Sequence, residues 1–142
     1  MSTLSAAIRA SGSALAVERT RIEVAVSNLA TAESTWSADG QPYRRRDVVL
    51  AADPSAPFHT ALGAATATGV RVAGVIEDTE PFRKRHEPGH PDADENGFVS
   101  LPNVDAPMEM VDLITAARAY QANLAAINVI RDMVARALEL GK

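Results

Sequence analysis

The sequence predicts an α+β protein in which long N- and C-terminal helices form an antiparallel coiled coil around a small β-rich middle domain. Two observations lead to this fold class. Apolar residues recur at heptad spacing near both ends, as coiled coils require. All eight prolines fall between Pro42 and Pro107, and six of the eight glycines fall between Gly40 and Gly97. Both ends are therefore free to be helical, whereas the middle is divided into turns and short strands.

The composition fits a single folded domain. The chain has 142 residues, 46% of them hydrophobic and 23% charged, so it is able to bury a modest core. A net charge of -4 gives no general attraction to nucleic acid. No run approaches the roughly 20 apolar residues of a membrane span, so no direct membrane insertion is expected. Because no cleavable signal is visible either, a role outside the cytoplasm requires a specialised export route.

The N-terminal helix is predicted from about Thr3 to Ala30, within a first segment of residues 1–35. Four large apolar residues fall every seventh position along it, namely Ile8, Leu15, Ile22 and Leu29. A narrow stripe of this kind is typical of a coiled-coil seam rather than of a helix lying on a broad globular core.

The C-terminal helix is predicted from Met108 to Leu140, within a last segment of residues 106–142. Its seam alternates spacings of three and four through Met110, Leu113, Ala117, Tyr120, Leu124, Ile127, Arg131, Val134 and Leu138. Asp105 suits the N-cap, and Pro107 suits the first turn. Such a helix is about 50 Å long, whereas a compact chain of this size is about 37 Å across. An elongated molecule is therefore expected, with apolar stripes left over for other subunits.

The middle segment, residues 36–105, is predicted to form short strands and one flexible loop near 53–68 that is rich in Ala, Thr and Pro. The predicted strands are Tyr43–Ala51, Gly69–Glu77, Phe82–Glu87 and Gly97–Leu101. Strands of this length form a small sheet, which is not very stable alone.

One stretch has the appearance of a metal site. The first half of an EF-hand calcium loop is matched by Asp92, Asp94, Asn96 and Gly97. The twelfth position of that loop, however, is Asn103, where a bidentate Glu is needed. A turn leading into the strand at Phe98 is the better interpretation, and no metal-binding residue is predicted.

Other candidate chemistry is equally weak. Along a strand, Arg44 and Arg46 point one way and Arg45 the other, so these arginines favour contact with acidic neighbours or another subunit over an anion site. The three histidines lack a neighbouring nucleophile, and no Gly-rich phosphate loop or hydrolase motif occurs. The sequence therefore predicts no catalytic residue, no cofactor and no enzymatic activity.

Two stretches carry a family resemblance. "SNLATAEST", residues 27–35, resembles the S-N-x-A-N-x-x-T stretch near the N-terminus of axial flagellar proteins. "EMVDLITAARAYQAN", residues 109–123, resembles their C-terminal stretch. The matching positions are Ser27, Asn28, Ala30, Thr35, Glu109, Met110, Arg118, Tyr120 and Asn123. Thr31 stands where the family usually has Asn. The Ser, Asn and Thr side chains of this stretch are expected to hydrogen-bond the backbone groups that the end of the helix leaves free. With the middle segments in the same order, the chain resembles the rod proteins of the flagellar basal body in particular.

The resemblance implies a structural subunit of the bacterial flagellar basal-body (proximal) rod, which crosses the periplasm. It implies export by the flagellar type III apparatus, and polymerisation through the terminal helices to transmit torque. The implied partners are further copies of the chain, other rod proteins, the adaptor to the membrane ring and the export apparatus. Another axial flagellar rod protein, a soluble coiled-coil adaptor and a calcium-binding module remain as alternatives.

Overall fold

The computed structural model describes residues 2–36, 40–53 and 69–140, apart from the side chains of residues 2 and 3. The elements follow in the order α1 (Ser2–Thr31), β1 (Arg46–Ala52), β2 (Val70–Glu77), β3 (Arg83–His86), β4 (Phe98–Leu101) and α2 (Ala106–Leu140). The predicted α+β class, with a long helix at each end, is confirmed. The loop expected near 53–68 lies outside the described residues from position 54 onward, as does His59.

Side-chain hydroxyl groups mark the end of α1, where the sequence has no glycine. The Thr31 hydroxyl donates to the Ser27 carbonyl at 2.8 Å. The backbone N–H and the hydroxyl of Ser34 both donate to the Thr31 carbonyl, at 2.9 and 2.8 Å. The bonds from Ser34 satisfy the Thr31 carbonyl, one of those that the last helical turn leaves free.

The start of α2 follows the predicted signals. The Asp105 carbonyl accepts the N–H of Glu109 at 3.0 Å, which places Asp105 at the N-cap position. Pro107 lies in the first turn, where its missing N–H leaves no hydrogen bond unmade. Glu109 adds negative charge to the same turn, where the helix dipole favours it.

The strands form two separate antiparallel pairs rather than the single small sheet that was expected. In the first pair Arg46 lies opposite Glu77 and Ala52 opposite Val70, with an irregularity between Val49 and Leu50. The β3–β4 pair is shorter, four residues on each strand. Each pair consists of two strands that follow one another in the sequence.

The strand predicted to begin at Tyr43 begins at Arg46, which corrects the expected boundary. The backbone N–H of Arg45 donates to the side-chain oxygen of Asn103 at 2.9 Å instead of to a strand. A partner 58 residues away therefore decides where β1 starts.

The packed centre of the molecule is small. Helix α1 contacts α2, β1 and β2, and β3 contacts β4. Complete burial is concentrated where β4 leads into α2, at Val99, Leu101 and Val104, with Pro102 beside them. The buried apolar residues of α1 are mostly small, at Ala6, Val17 and Ala25. The short segment before α2 therefore anchors that helix to the β3–β4 pair.

Leu101→Ala is expected to lower the free energy of unfolding by about 3 kcal/mol, because it leaves a cavity at a fully buried position. Urea denaturation followed by circular dichroism measures the change. Leu140→Ala is the matched control, since Leu140 is 90% exposed and should change stability by no more than about 0.5 kcal/mol. Equal effects of the two substitutions would contradict this placement of the core.

Candidate functional site

Asn28, in the last turn of α1, is fully buried and uses both ends of its side-chain amide. Its oxygen accepts the Arg46 N–H at 3.0 Å and the Tyr43 hydroxyl at 2.9 Å. Its nitrogen donates to the Arg46 carbonyl at 2.8 Å and to Oε2 of Glu109 at 3.0 Å. One amide thus joins α1 to the start of β1 and to the first turn of α2.

Glu109 is the second buried polar group, with 2% of its surface exposed. Its Oε1 accepts Nε of Arg45 at 2.6 Å, while Oε2 accepts the Asn28 amide. Burial acts to lower the pKa of Arg45, but the hydrogen bond and charge of Glu109 outweigh it, and that pKa lies above its ordinary value. A buried carboxylate needs such partners, because an unpaired charge there is very costly.

Arg45 is the centre of a wider acidic environment. Its guanidinium lies 3.7 to 3.8 Å from the carboxylates of Asp47, Asp78 and Asp112. Acidic contact was the favoured prediction for this arginine, and it is confirmed. We call Asn28, Tyr43, Arg45, Asn103 and Glu109 the polar junction.

Asn103 completes the polar junction from the segment before α2. Its side-chain oxygen accepts the Arg45 N–H. Its amide nitrogen donates to the Asp78 carbonyl at 3.5 Å and to the Glu80 carbonyl at 3.3 Å. The segment that follows β2 is thereby tied to the segment that precedes α2. Among the described residues that are not exposed, no buried side-chain nitrogen or oxygen lacks a hydrogen-bond partner.

The other N-terminal motif residues have separate roles. Ser27 Oγ lies 3.5 Å from the Tyr43 hydroxyl, beside the polar junction. Ala30 is exposed. Thr31 bonds back to its own helix, and Thr35 donates to Oδ2 of Asp92 at 2.7 Å. Sequence reasoning expected Asn28 to satisfy the end of the helix, but its bonds go to other segments.

The C-terminal motif residues divide between two sides of α2. Met110 and Arg118 are exposed, and Tyr120 is half-buried. Asn123 donates to the Ala119 carbonyl of its own helix at 2.9 Å. Of this stretch, Glu109 is the residue that the structure brings to the polar junction.

The large apolar residues predicted for the α1 seam are not the most buried ones. Partial burial is found at Leu15, Ile22 and Leu29, whereas Ile8 is exposed. The buried positions are the smaller residues Ala6, Val17 and Ala25. Small side chains are harder to recognise in a hydrophobic pattern, because alanine occurs throughout this helix.

On α2 the least exposed side is rotated slightly from the predicted seam. It contains Glu109, Leu113, Ala116, Tyr120, Asn123, Ile127 and Ile130. The predicted row shares Leu113, Tyr120 and Ile127 with it. The other row, at Glu109, Ala116 and Asn123, lies one residue earlier than the predicted row. The hydrophobic pattern did not indicate it, because these three are not large apolar residues.

Among the other predicted seam residues of α2, Ala117 is half-buried and Arg131 is exposed. The remaining four, Met110, Leu124, Val134 and Leu138, are exposed apolar residues. They belong to a longer series of exposed apolar side chains on this helix, which we call the open apolar series: Met108, Met110, Val111, Ile114, Leu124, Val129, Met133, Val134, Leu138 and Leu140. Every residue from position 131 to 140 is exposed. A series of this extent is typical of a surface that binds other proteins.

The acidic stretch before β4 forms a turn, as predicted. Oδ1 of Asp94 accepts the N–H groups of Asn96 and Phe98, both at 2.9 Å. The pKa of Asp94 is lowered, chiefly because the Phe98 N–H donates to its carboxylate. Gly97 has a positive φ of 78°, and a Cβ there would lie 3.1 Å from Pro88. No group of metal-ligating side chains occurs in the described ranges.

The two described histidines have structural contacts. His86 lies on β3, within the strand predicted at Phe82–Glu87, with its ring edge-on to Phe98 at 5.0 Å between centroids. Nδ1 of His90 lies 3.1 Å from the Asp92 N–H, which donates to it. Neither α1 nor α2, over its described length, has a stretch apolar enough to cross a membrane.

Comparison with known proteins gives consistent matches. Residues 95–140 match the family described as flagellar basal body rod FlgEFG protein C-terminal. The flagellar basal-body rod protein FlgC of Salmonella typhimurium is 48% identical over 131 residues, which cover 92% of each chain. FlgC of Escherichia coli is 46% identical over the same share. FlgC of Bacillus subtilis is 39% identical over 145 residues, 95% of this chain and 96% of that protein.

The family match at residues 95–140 and the similarity to rod proteins define a structural protein of the flagellar basal-body rod. The relatives that match most of the chain identify the family. The chain belongs to the FlgC family of flagellar basal-body rod proteins. It is a component of the rod in the flagellar basal body and not an enzyme.

Asn28→Ala is expected to lower the free energy of unfolding by about 3 kcal/mol, because it leaves buried partners in β1 and α2 unsatisfied. Urea denaturation of the full chain measures the effect. Asn123→Ala is the control, since that amide bonds within its own helix and its loss should cost no more than about 1 kcal/mol. A smaller effect at Asn28 than at Asn123 would contradict the structural importance of the junction.

Proposed function

We propose that this chain is a subunit of the proximal rod that polymerises through its terminal helices and helps to transmit torque. The open apolar series on α2 is the observation that carries this proposal. Large apolar side chains spread along 35 residues of helix, about 50 Å, offer a surface to be buried by neighbours. The partners are further copies and other rod proteins.

The pairing of α1 with α2 supports an antiparallel coiled coil. The end of α1 meets the beginning of α2 through the hydrogen bond between Asn28 and Glu109. Farther along, Arg19 of α1 lies within electrostatic range of the Tyr120 phenol of α2, so an earlier residue of α1 faces a later residue of α2. Opposed chain directions account for both contacts, and the 3–4 spacing of the less exposed side of α2 fits coiled-coil packing.

The division into residues 1–35, 36–105 and 106–142 is part of the proposal. In it, the terminal segments pack between subunits through Ile8, Leu15, Ile22, Leu29, Leu113, Tyr120, Leu124, Ile127, Val134 and Leu138, and the middle segment lies outside them. The same family membership supports export by the flagellar type III apparatus and contact with the adaptor to the membrane ring. A soluble coiled-coil adaptor is less favoured, because relatives named as rod proteins match 92% or more of the chain.

We further propose that folding is completed on assembly. Every residue from 131 to 140 is exposed, so packing within the subunit contributes little to holding these turns in helical form. Contact with neighbours in the rod supplies that packing. The junction end of the helix pair, by contrast, is stabilised within the chain.

Circular dichroism of the purified monomer tests assembly-coupled folding. The expected helix content is below that of the 30 residues of α1 and 35 residues of α2 together, since the unpacked turns fray. Addition of a helix-supporting osmolyte serves as the reference for full helicity. A fully helical monomer with a sharp melt at low concentration would count against this proposal.

Leu124→Asp is expected to abolish swimming while the protein is still exported, because it places a charge in the surface proposed to bind neighbours. Ile127→Asp should act likewise, although Ile127 is half-buried and its loss also disturbs the helix pair. Motility in soft agar and the exported protein in culture medium are measured. Asn128→Asp, at an exposed polar position nearby, is the control and should swim normally. Normal swimming of Leu124→Asp would refute the assignment.

A further inference from the structure

The contacts between elements divide the molecule into two halves. Helix α1 contacts β1 and β2, which pair with each other. Strand β3 pairs with β4, and β4 continues into α2 through the buried residues Pro102, Asn103 and Val104. The N-terminal half is therefore α1 with β1 and β2, and the C-terminal half is α2 with β3 and β4. Between elements, the halves meet through the packing of α1 on α2.

Apolar packing along α2 does not select one axial position. Its less exposed residues repeat every seven positions, at 109, 116, 123 and 130 and again at 113, 120 and 127. The buried apolar residues of α1 are mostly alanine, which presents little relief to the partner helix. A shift by one heptad, about 10 Å along the axis, places Tyr120 at the position of Leu113 and Ile127 at that of Tyr120, so apolar or aromatic side chains still fill that row. In the other row the same shift places Ala116 at the position of Glu109 and Asn123 at that of Ala116.

We propose that Glu109, held by Asn28 and Arg45, is the positioning residue that sets the register of the C-terminal half on the N-terminal half. Its position in the repeat is taken by Ala116 after a shift of one heptad, and alanine cannot accept the Asn28 amide or pair with Arg45. Asn28 is fully buried, so the shifted state leaves a polar group without its partner. A single buried polar residue that specifies register is well known in coiled coils.

Asn103 of the C-terminal half acts beside Glu109, because its side-chain oxygen accepts the Arg45 N–H at 2.9 Å. The contacts farther from the polar junction are weaker restraints. Glu33 pairs with Arg83 and Arg85, but these side chains are 45% to 64% exposed, and exposed ion pairs contribute little. Thr35 and Asp92 share one hydrogen bond at a partly buried site. The register matters for assembly, because a shift of about 10 Å moves the open apolar series relative to the N-terminal half by the same distance.

Distance measurement between spin labels tests this proposal on the full chain. The sequence has no cysteine, so labels attach only where Ala30→Cys and Ala126→Cys introduce them, both at exposed positions. With Glu109 intact a single distance is expected. Glu109→Leu should add a second population displaced by about 10 Å, whereas Glu109→Gln, which still accepts the Asn28 amide, should keep the single distance.

Moving the carboxylate by one heptad is the sharper test. The paired exchange of Glu109→Ala with Ala116→Glu should shift the main distance by about 10 Å. The carboxylate at position 116 can then accept the Asn28 amide and pair with Arg45 only in the shifted register. Asp112→Leu is the matched control. Asp112 also lies on α2 near Arg45, at 3.7 Å, but its side chain is 46% exposed and makes no bond to Asn28 in the described contacts.

An unchanged distance in both Glu109→Leu and the paired exchange would overturn the proposal. Loss of helical circular dichroism in both would also overturn it, because the polar junction would then be required for folding rather than for the choice of register. A second distance in Asp112→Leu equal to that in Glu109→Leu would assign the effect to general loss of charge and would likewise reject Glu109 as the positioning residue.

Discussion

The hydrogen bond between Asn28 and Glu109 is the contact on which the arrangement of the two helices depends. It joins the end of α1 to the beginning of α2, and both side chains are buried. Arg45 neutralises the carboxylate from a third segment, and Asn103 holds the Arg45 backbone from a fourth. Because each buried polar group needs the others, the segments at 28, 45, 103 and 109 are fixed together or not at all.

Away from the polar junction, much of the apolar surface of α2 is exposed. Among the described residues, the largest fully buried apolar side chains lie in β4 and just after it, whereas every residue of α2 from 131 to 140 is exposed. Such a distribution would be unfavourable in a protein that works alone, since large apolar surface remains in water. It suits a member of the FlgC family, in which rod proteins build a common structure.

The polar residues of the motif around Asn28 have two different structural roles. Sequence reasoning treated Ser27 to Thr35 as a place where polar side chains satisfy a fraying helix. Thr31 and Ser34 do this, as their hydroxyl groups bond to helix carbonyls. Asn28 does not, because its amide reaches Arg46 and Glu109 instead. A threonine at position 31 thus completes the helix end locally, without taking part in the junction.

The sequence by itself determined the two long helices, the strand segments and the family motif. These depend on heptad spacing, on the positions of proline and glycine, and on short-range side-chain bonds, all of which act between near neighbours in the chain. Only the tertiary structure decided that β1 starts at Arg46, that the strands form two pairs, and that Glu109 faces inward. The start of β1 and the burial of Glu109 rest on partners 58 and 81 residues apart, and the strand pairs join residues that are also not adjacent in the chain. No local pattern records which distant groups will meet.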